Sequence, residues 1–223
     1  MATQTDTIRR QDLILDTTLE ILDEVGPDGL LLREVVERSG TSLATIYRYF
    51  PSKDYLVVQA LARWASGLRG RMLATGVQAA DAGERLAALL RLAASAFEQH
   101  PNYSRAVLSI MVSTDPLVEI AERDFRSTFT SALALALADL DPEVAADIEV
   151  MVYALLTDQM ITWSTGRRSA GGAPGSASQL ERGIRVLQSA LAARASEARG
   201  SEASSSPTRS APARSSAQRK QEQ

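Results

Sequence analysis

From Ile8 onward, apolar residues recur at helical intervals. Leu13, Ile14, Thr17, Ile21 and Val25 fall on one side of a helix, with Asp12, Asp16, Glu20 and Asp23 on the other. This is the pattern of an amphipathic helix with one face turned to a core. Gly26-Pro27-Asp28-Gly29 closes it with stop-and-turn chemistry. A second, short helix fits Leu32 to Ser39. Gly40-Thr41-Ser42 makes a tight turn, in which Ser42 caps a third helix running to Phe50. Leu43, Ile46 and Phe50 are spaced to pack inward. Pro51-Ser52 breaks the chain, and Ser52 caps a long fourth helix whose first turn holds Asp54, a favourable place for a carboxylate.

The helical pattern continues to the end of the apolar sequence, with helices expected over 53–74, 82–99, 102–112, 116–139, 142–167 and 177–195. Gly76, His100-Pro101, Asp115-Pro116 and Asp141-Pro142 punctuate them, and Asp before Pro is a helix-start signal. Gly171 to Gly175 reads as a flexible loop. No run of alternating β-branched residues asks for a sheet, so the expected class is all-α. Three units are expected: residues 1–52, 53–195, and a tail over 196–223. The last is rich in Ser, Ala, Arg and Pro and lacks the apolar surface needed to offset its ordering entropy, so it is expected to be disordered.

Composition narrows the chemistry. The chain has 223 residues, no Cys and one His. Disulfides and thiolate metal sites are excluded, and no His cluster or Gly-rich phosphate loop is present, so no enzyme, metal or cofactor is expected. His100, beside Pro101, reads as a cap or surface residue. No apolar stretch reaches membrane-spanning length, and MATQTDTIRRQD lacks the apolar core of an export leader. The expected location is the cytoplasm. Net charge is −3, and the segment through Tyr55 carries six Lys/Arg against ten Asp/Glu. Any role with nucleic acid therefore rests on where the basic groups sit.

Residues 30–55 place them usefully. Two short helices joined by a Gly-containing turn form a helix-turn-helix, whose second helix enters the DNA major groove. That helix offers Ser42, Thr45, Tyr47, Arg48 and Tyr49, whose hydroxyls and guanidinium can reach phosphates and base edges.

The string TSLATIYRYFPSKDYL, preceded by Arg9-Arg10, the helix from Leu13 and REVVERSG, resembles the TetR family of bacterial repressors over roughly residues 9–56. The resemblance implies an N-terminal three-helix DNA-binding domain and a C-terminal helical bundle for ligand binding and dimerisation. It implies base reading by Thr45 and Arg48, phosphate contacts from Tyr47, Tyr49 and Lys53, and a groove or backbone contact from Arg33. It also implies a ligand-controlled repressor: effector between the middle helices shifts the fourth helix and the spacing of two reading heads. Two positions depart from the family pattern: Leu31 stands where a capping Thr is common, and Val36 where a smaller residue is usual. TIYRYFPSKDYLVVQAL and TWSTGRRSA are further similar to the KstR-like subgroup of sterol-breakdown regulators. That similarity implies a lipid-derived or acyl-CoA effector, with Arg63, Arg105 or Arg126 meeting its phosphates.

Trp64, Phe97, Tyr103, Met111, Phe125, Phe129, Met151 and Trp163 are spaced as a bundle interior and suggest an apolar cavity, because Met and aromatics line adaptable sites. Asp158 and Gln159, set among apolar neighbours, are read equally as orienting groups in that pocket or as interface hydrogen-bonders. Leu180, Ile184, Leu187 and Leu191 form a stripe on the last helix. With Tyr153 and Leu156 on the helix before, it is the expected homodimer contact, suited to a palindromic DNA operator. The alternative reading is a helical protein-interaction adaptor without specific DNA binding.

Overall fold

The computed structural model describes residues 4–76, 79, 81–165 and 177–204. Among them are helices α1 (Gln4–Gly29), α2 (Leu32–Ser39), α3 (Leu43–Tyr49), α4 (Lys53–Gly76), α5 (Ala82–Gln99), α6 (Pro101–Met111), α7 (Pro116–Ala136), α8 (Pro142–Thr165) and α9 (Ala177–Ser204), and no strand. Local chemistry sets the starts. The side chains of Ser42, Asp81 and Asp115 accept hydrogen bonds from first-turn N–H groups, while α6 and α7 begin on Pro, whose missing donor costs nothing there. The expected Gly171–Gly175 loop and residues 205–223 lie outside the described residues.

Three boundaries and faces differ from the sequence expectation. The helix α9 runs on to Ser204, past Ser196. Its added residues include Ala, Glu and Arg, good helix formers that extend a helix cheaply once its packed part exists. In α1 the buried face is Ile14, Thr17, Thr18, Ile21 and Leu22, while Leu13 and Val25 are half exposed. Thr18 can sit inside because its hydroxyl donates to the Ile14 carbonyl at 2.7 Å. Leu43 is 46% exposed, because it opens the short α3 and only Ile46 and the following Phe50 reach the core.

The helix α1 bends at Gly26, where φ is 74° and only glycine is comfortable. A Cβ there would meet Asn102 Oδ1 of α6 at 3.0 Å, so the same glycine lets the two helices approach. Gly40, at φ 61°, ends α2 and donates to the Val36 carbonyl.

Two apolar clusters hold the molecule. One joins Ile14, Ile21, Leu22, Leu30, Val35, Ile46 and Phe50 of the first three helices and their connections to Leu56, Val57 and Leu61 of α4, Val107 and Ile110 of α6 and Val118 of α7. The other joins the later part of α4 to α5, the end of α7, α8 and α9. The long helix α4 belongs to both. One end of it follows the turn after α3, and the other reaches the bundle interior.

Candidate DNA-reading helix, effector cavity and subunit face

The helix-turn-helix is pinned from behind. Arg38 of α2 donates to both carboxylate oxygens of Glu24 on α1, at 2.8 and 2.7 Å, and to Glu34 at 2.5 Å. These bonds hold the Glu24 carboxyl below its ordinary range. At the start of α2, Leu31 makes no side-chain cap, as its apolar side chain requires. Ile46 and Phe50 anchor α3 from below.

Above them α3 presents its open face. Ser42 Oγ accepts from the Thr45 N–H at 3.1 Å and lies 2.9 Å from Thr45 Oγ1. Ser42 is therefore committed first to holding the helix start, and Thr45 is oriented beside it. Tyr47 and Arg48 are exposed and Tyr49 is half-buried. The Arg48 guanidinium rests on the Tyr49 ring at 4.7 Å and donates to its hydroxyl at 2.8 Å. Arg33 of α2 is exposed and lies in a shallow groove with Leu31, Glu34, Glu37 and Arg38.

Lys53 is placed differently from a free phosphate ligand. It is half-buried, and Nζ donates to the Pro27 carbonyl at 2.8 Å, tying the start of α4 to the end of α1. An ammonium has three donors, so a phosphate contact remains compatible. Replacing Lys53 by Ala is expected to weaken binding to all DNA sequences alike and lower the salt slope by about one unit. It is also expected to cost about 1.5–3 kcal/mol of stability for the lost charged hydrogen bond. Salt titrations beside thermal melts separate the two effects.

Helices α4, α5, α6, α7 and α8 enclose a cavity of about 700 Å³, its open mouth included. Of the residues expected there, Trp64, Phe97, Met111, Phe125 and Phe129 line it. The other five do not. Tyr103 sits behind Trp64, ring centroids 5.2 Å apart. Trp163 stacks behind Phe97 at 6.4 Å. Met151 points to a groove between α8 and α9. Asp158 is exposed, and Gln159 is buried away from the cavity.

Conversely, Tyr153 and Leu156, expected at a subunit contact, line this cavity. So do Glu122 and Arg126, charged residues one helical turn apart on α7. Glu122 was not anticipated, although its spacing with Phe125, Arg126 and Phe129 marks one face of α7 and so carried the signal. Arg126 spans Glu122 with three donor contacts, from Nε to Oε1 at 2.9 Å and from Nη2 to Oε1 and Oε2 at 2.5 and 2.6 Å. Its guanidinium lies 5.2 Å from the Tyr153 ring. Burial pushes the Tyr153 phenol up to about 12, with Arg126 drawing it back, so the hydroxyl stays protonated at neutral pH. Arg63 and Arg105 are committed elsewhere. Arg63 bridges Asp12 and Asp16 of α1 at 2.6 and 2.5 Å, and Arg105 pairs with Asp28 at 2.9 Å.

The expected dimer stripe needs correction. Leu180, Ile184, Leu187 and Leu191 are buried within the monomer, in the cluster with α5 and α8. Leu187 and Leu191 reach the surface only as the floor of a groove between α8 and α9. The exposed apolar residues nearby are Val150, Met151 and Ile161 of α8 and Val186 of α9, at 71%, 51%, 43% and 61% exposure. Met151 and Val186 line the same α8–α9 groove.

The cavity wall is also wired to α1. The Trp64 ring packs on His100 and Tyr103. His100 Nδ1 lies 3.0 Å from Asp23 Oδ2, Asn102 Nδ2 donates to the Asp23 carbonyl at 2.7 Å, and the Tyr103 hydroxyl donates to the Leu19 carbonyl at 3.2 Å. A second tie joins α7 to the turn after α3: Ser52 Oγ donates to Asp115 Oδ2 at 3.2 Å, while Asp115 Oδ1 caps α7.

An exposed, rigidly backed α3 carrying Thr45, Tyr47 and Arg48 defines a helix-turn-helix DNA-binding regulator. Residues 14–60 match the family of bacterial regulatory proteins described as the tetR family. Over 162 residues the chain is 28% identical to the HTH-type transcriptional repressor KstR of Mycobacterium tuberculosis, covering 72% of this chain and 74% of that protein. In fold it is similar to the transcriptional regulator FadR of Bacillus subtilis in complex with stearoyl-CoA, with TM-score 0.63 at 16% identity, covering 80% of this chain and 97% of that one. It is also similar to a regulator from Saccharomonospora viridis in complex with choline, with TM-score 0.58 at 21% identity, covering 82% and 95%. Residues 14–60 thus carry the sequence pattern of the tetR-family N-terminal domain, and over most of its length the chain is similar to DNA-binding transcriptional regulators. Among the described residues no helix is long and apolar enough to cross a membrane.

Proposed function

We propose that the protein is a cytoplasmic, homodimeric repressor that reads a two-fold operator with α3 of each subunit and is released when an apolar effector fills the cavity between α4 and α8. Residues 1–52 serve as the reading head, 53–195 as the effector and dimer domain, and the tail from about 196 serves neither. Thr45 and Arg48 read bases, Tyr47, Tyr49 and Arg33 hold the backbone, Lys53 adds a phosphate contact, and Ser42 keeps the helix start. The observation that carries this reading is the course of α4. It starts in the turn after the reading helix, where Ser52 is bonded to α7, and its Trp64, Leu68 and Met72 line the cavity.

Effector binding would part α7 from α4 and disturb Trp64, and both changes bear on the reading head through bonds already described. Effector weakens DNA binding only as far as it prefers the arrangement with the heads misplaced. The subunit contact is assigned to the α8–α9 face around Val150, Met151, Ile161 and Val186. The similarity to KstR supports a lipid-derived effector.

Tyr103 tests the coupling, since it touches α1 and the cavity wall but not the cavity. Tyr103→Phe is expected to cost about 0.5–1.5 kcal/mol of stability. It should leave effector affinity near normal and reduce the effector's leverage on DNA affinity. Measuring effector affinity with and without operator checks this. Unchanged leverage would remove Tyr103 from the mechanism.

A further inference from the structure

The chain holds a single histidine, His100, and it stands where the reading head meets the effector domain. As the residue before α6 it makes no side-chain cap. Its ring turns instead to α1, where Nδ1 lies 3.0 Å from Asp23 Oδ2. One face of the ring stacks on Tyr103, centroids 4.7 Å apart and planes 12° from parallel, and Trp64 meets it edge-on at 6.3 Å. Trp64 itself lines the cavity. One imidazole thus touches α1 of the reading head, α6, and the α4 residue that an effector would move.

The charges around the ring favour a proton. On α1, Asp23 is in direct contact, and Glu20 shares a shallow surface with Asp23 and Tyr103. Burial, Asp23 and Glu20 together push the Tyr103 phenol up, so it stays neutral at neutral pH. Other charged groups of α1, α4 and α6 are already paired: Asp16 with Arg63, Glu24 with Arg38, and Arg105 with Asp28. On α5, Glu98 is exposed. The C-terminus of α5 favours a cation and the N-terminus of α6 disfavours one, so the two helix ends oppose each other here.

Imidazole is the one side chain whose ordinary charge change falls between about pH 5 and 8. Neutral, it can donate to Asp23 in only one of its two tautomers. Protonated, it carries N–H on both nitrogens, makes a charge-assisted bond to Asp23 and lays a cation on the Tyr103 ring.

We infer that His100 and Asp23 form a proton-operated latch between α6 and α1: acidification holds the reading head in the arrangement that binds operator and opposes its release by effector. The inference rests on the proposed function, in which operator binding keeps α1 seated on α6 and effector displaces Trp64. The sign follows from linkage. A proton bound more tightly with the latch closed favours the closed state at low pH, and that advantage fades as pH rises through the histidine range. Its size is modest, because the His100 and Asp23 side chains are 32% and 38% exposed and such pairs contribute little.

The test measures affinity of the full-length protein for the duplex that selection from a random DNA pool returns, at about pH 6 and about pH 8 and constant ionic strength. The native protein is expected to bind about fivefold tighter at the lower pH, with two latches acting in one dimer. In His100→Gln, which keeps an N–H donor but does not titrate, the ratio should fall to about one. Asp23→Asn should also bring it to about one while leaving affinity at the higher pH close to native, and it carries the test alone if His100→Gln folds poorly. Calorimetry at neutral pH, in two buffers of different ionisation heat, should show proton uptake on operator binding by the native protein and none in either variant.

Equal affinity at both pH values, or tighter binding at the higher one, overturns the latch and leaves operator reading standing. A ratio that survives in His100→Gln places the proton elsewhere and overturns it too. A protein for which selection returns no duplex overturns the operator reading on which the latch rests.

Discussion

A chain carrying Val150→Asp and Val186→Asp will be a folded monomer with operator affinity reduced roughly 10²–10⁴-fold, the advantage that joining two reading heads provides. Both valines are exposed in the single chain, so their replacement costs the monomer fold little. In a two-fold contact each appears twice, and covering a valine contributes about 1.5–3 kcal/mol. Four lost valines replaced by four carboxylates facing one another exceed what a contact of this kind can absorb. The contrast is Leu187→Asp. Leu187 is buried among α5 and α8, so that change should unfold the bundle instead of separating intact subunits. Sedimentation and thermal melts distinguish the cases. A Val150→Asp/Val186→Asp protein that remained dimeric would move the interface off the α8–α9 face.

Arg48→Ala is the second large effect. Arg48 is held over the Tyr49 ring, so its guanidinium is oriented before DNA arrives. If it bonds a guanine through both donors, its loss costs about 1–3 kcal/mol per half-site and falls on one base pair in each. Operator variants at that pair should then bind the mutant alike, while preferences elsewhere persist. Lys53→Ala shows the opposite profile, uniform in sequence and visible in the salt slope. An Arg48→Ala protein with unchanged affinity and base preference would place the reading face elsewhere on α3.

The contrast between these residues shows what the sequence made legible. The reading head was readable because its signals are local. Ser42 caps within three residues, Gly40 ends α2 where φ must be positive, and Pro51 and Ser52 mark the break before α4. Helix starts at Lys53, Pro116 and Pro142 followed from Ser52 and the two Asp-Pro pairs for the same reason.

Packing partners were harder. A leucine stripe looks the same whether it meets its own chain or a second copy, and Leu180 to Leu191 met their own. The open face lay instead on Val150 and Val186, residues too far apart in sequence to form a stripe. On α1, Thr18 occupies a buried position while Leu13 stays outside, because a hydroxyl bonded to its own helix backbone can be buried. Cavity aromatics on α4, α5 and α7 were found by spacing. Tyr103 and Trp163 failed that test because each sits one ring behind the wall, a distinction that helical periodicity does not carry. Glu122 was hidden because a carboxylate four residues before an arginine is ordinarily a solvated surface pair.

The most direct test of the central claim is selection of bound duplexes from a random DNA pool by the purified full-length protein, with bound sequences counted. The account predicts enrichment of an inverted repeat whose half-sites lie about 34–36 Å apart or a multiple of that spacing, and loss of the enrichment in Arg48→Ala. No enriched sequence, or a single unpaired half-site bound as tightly as any repeat, would contradict a dimeric operator-reading regulator.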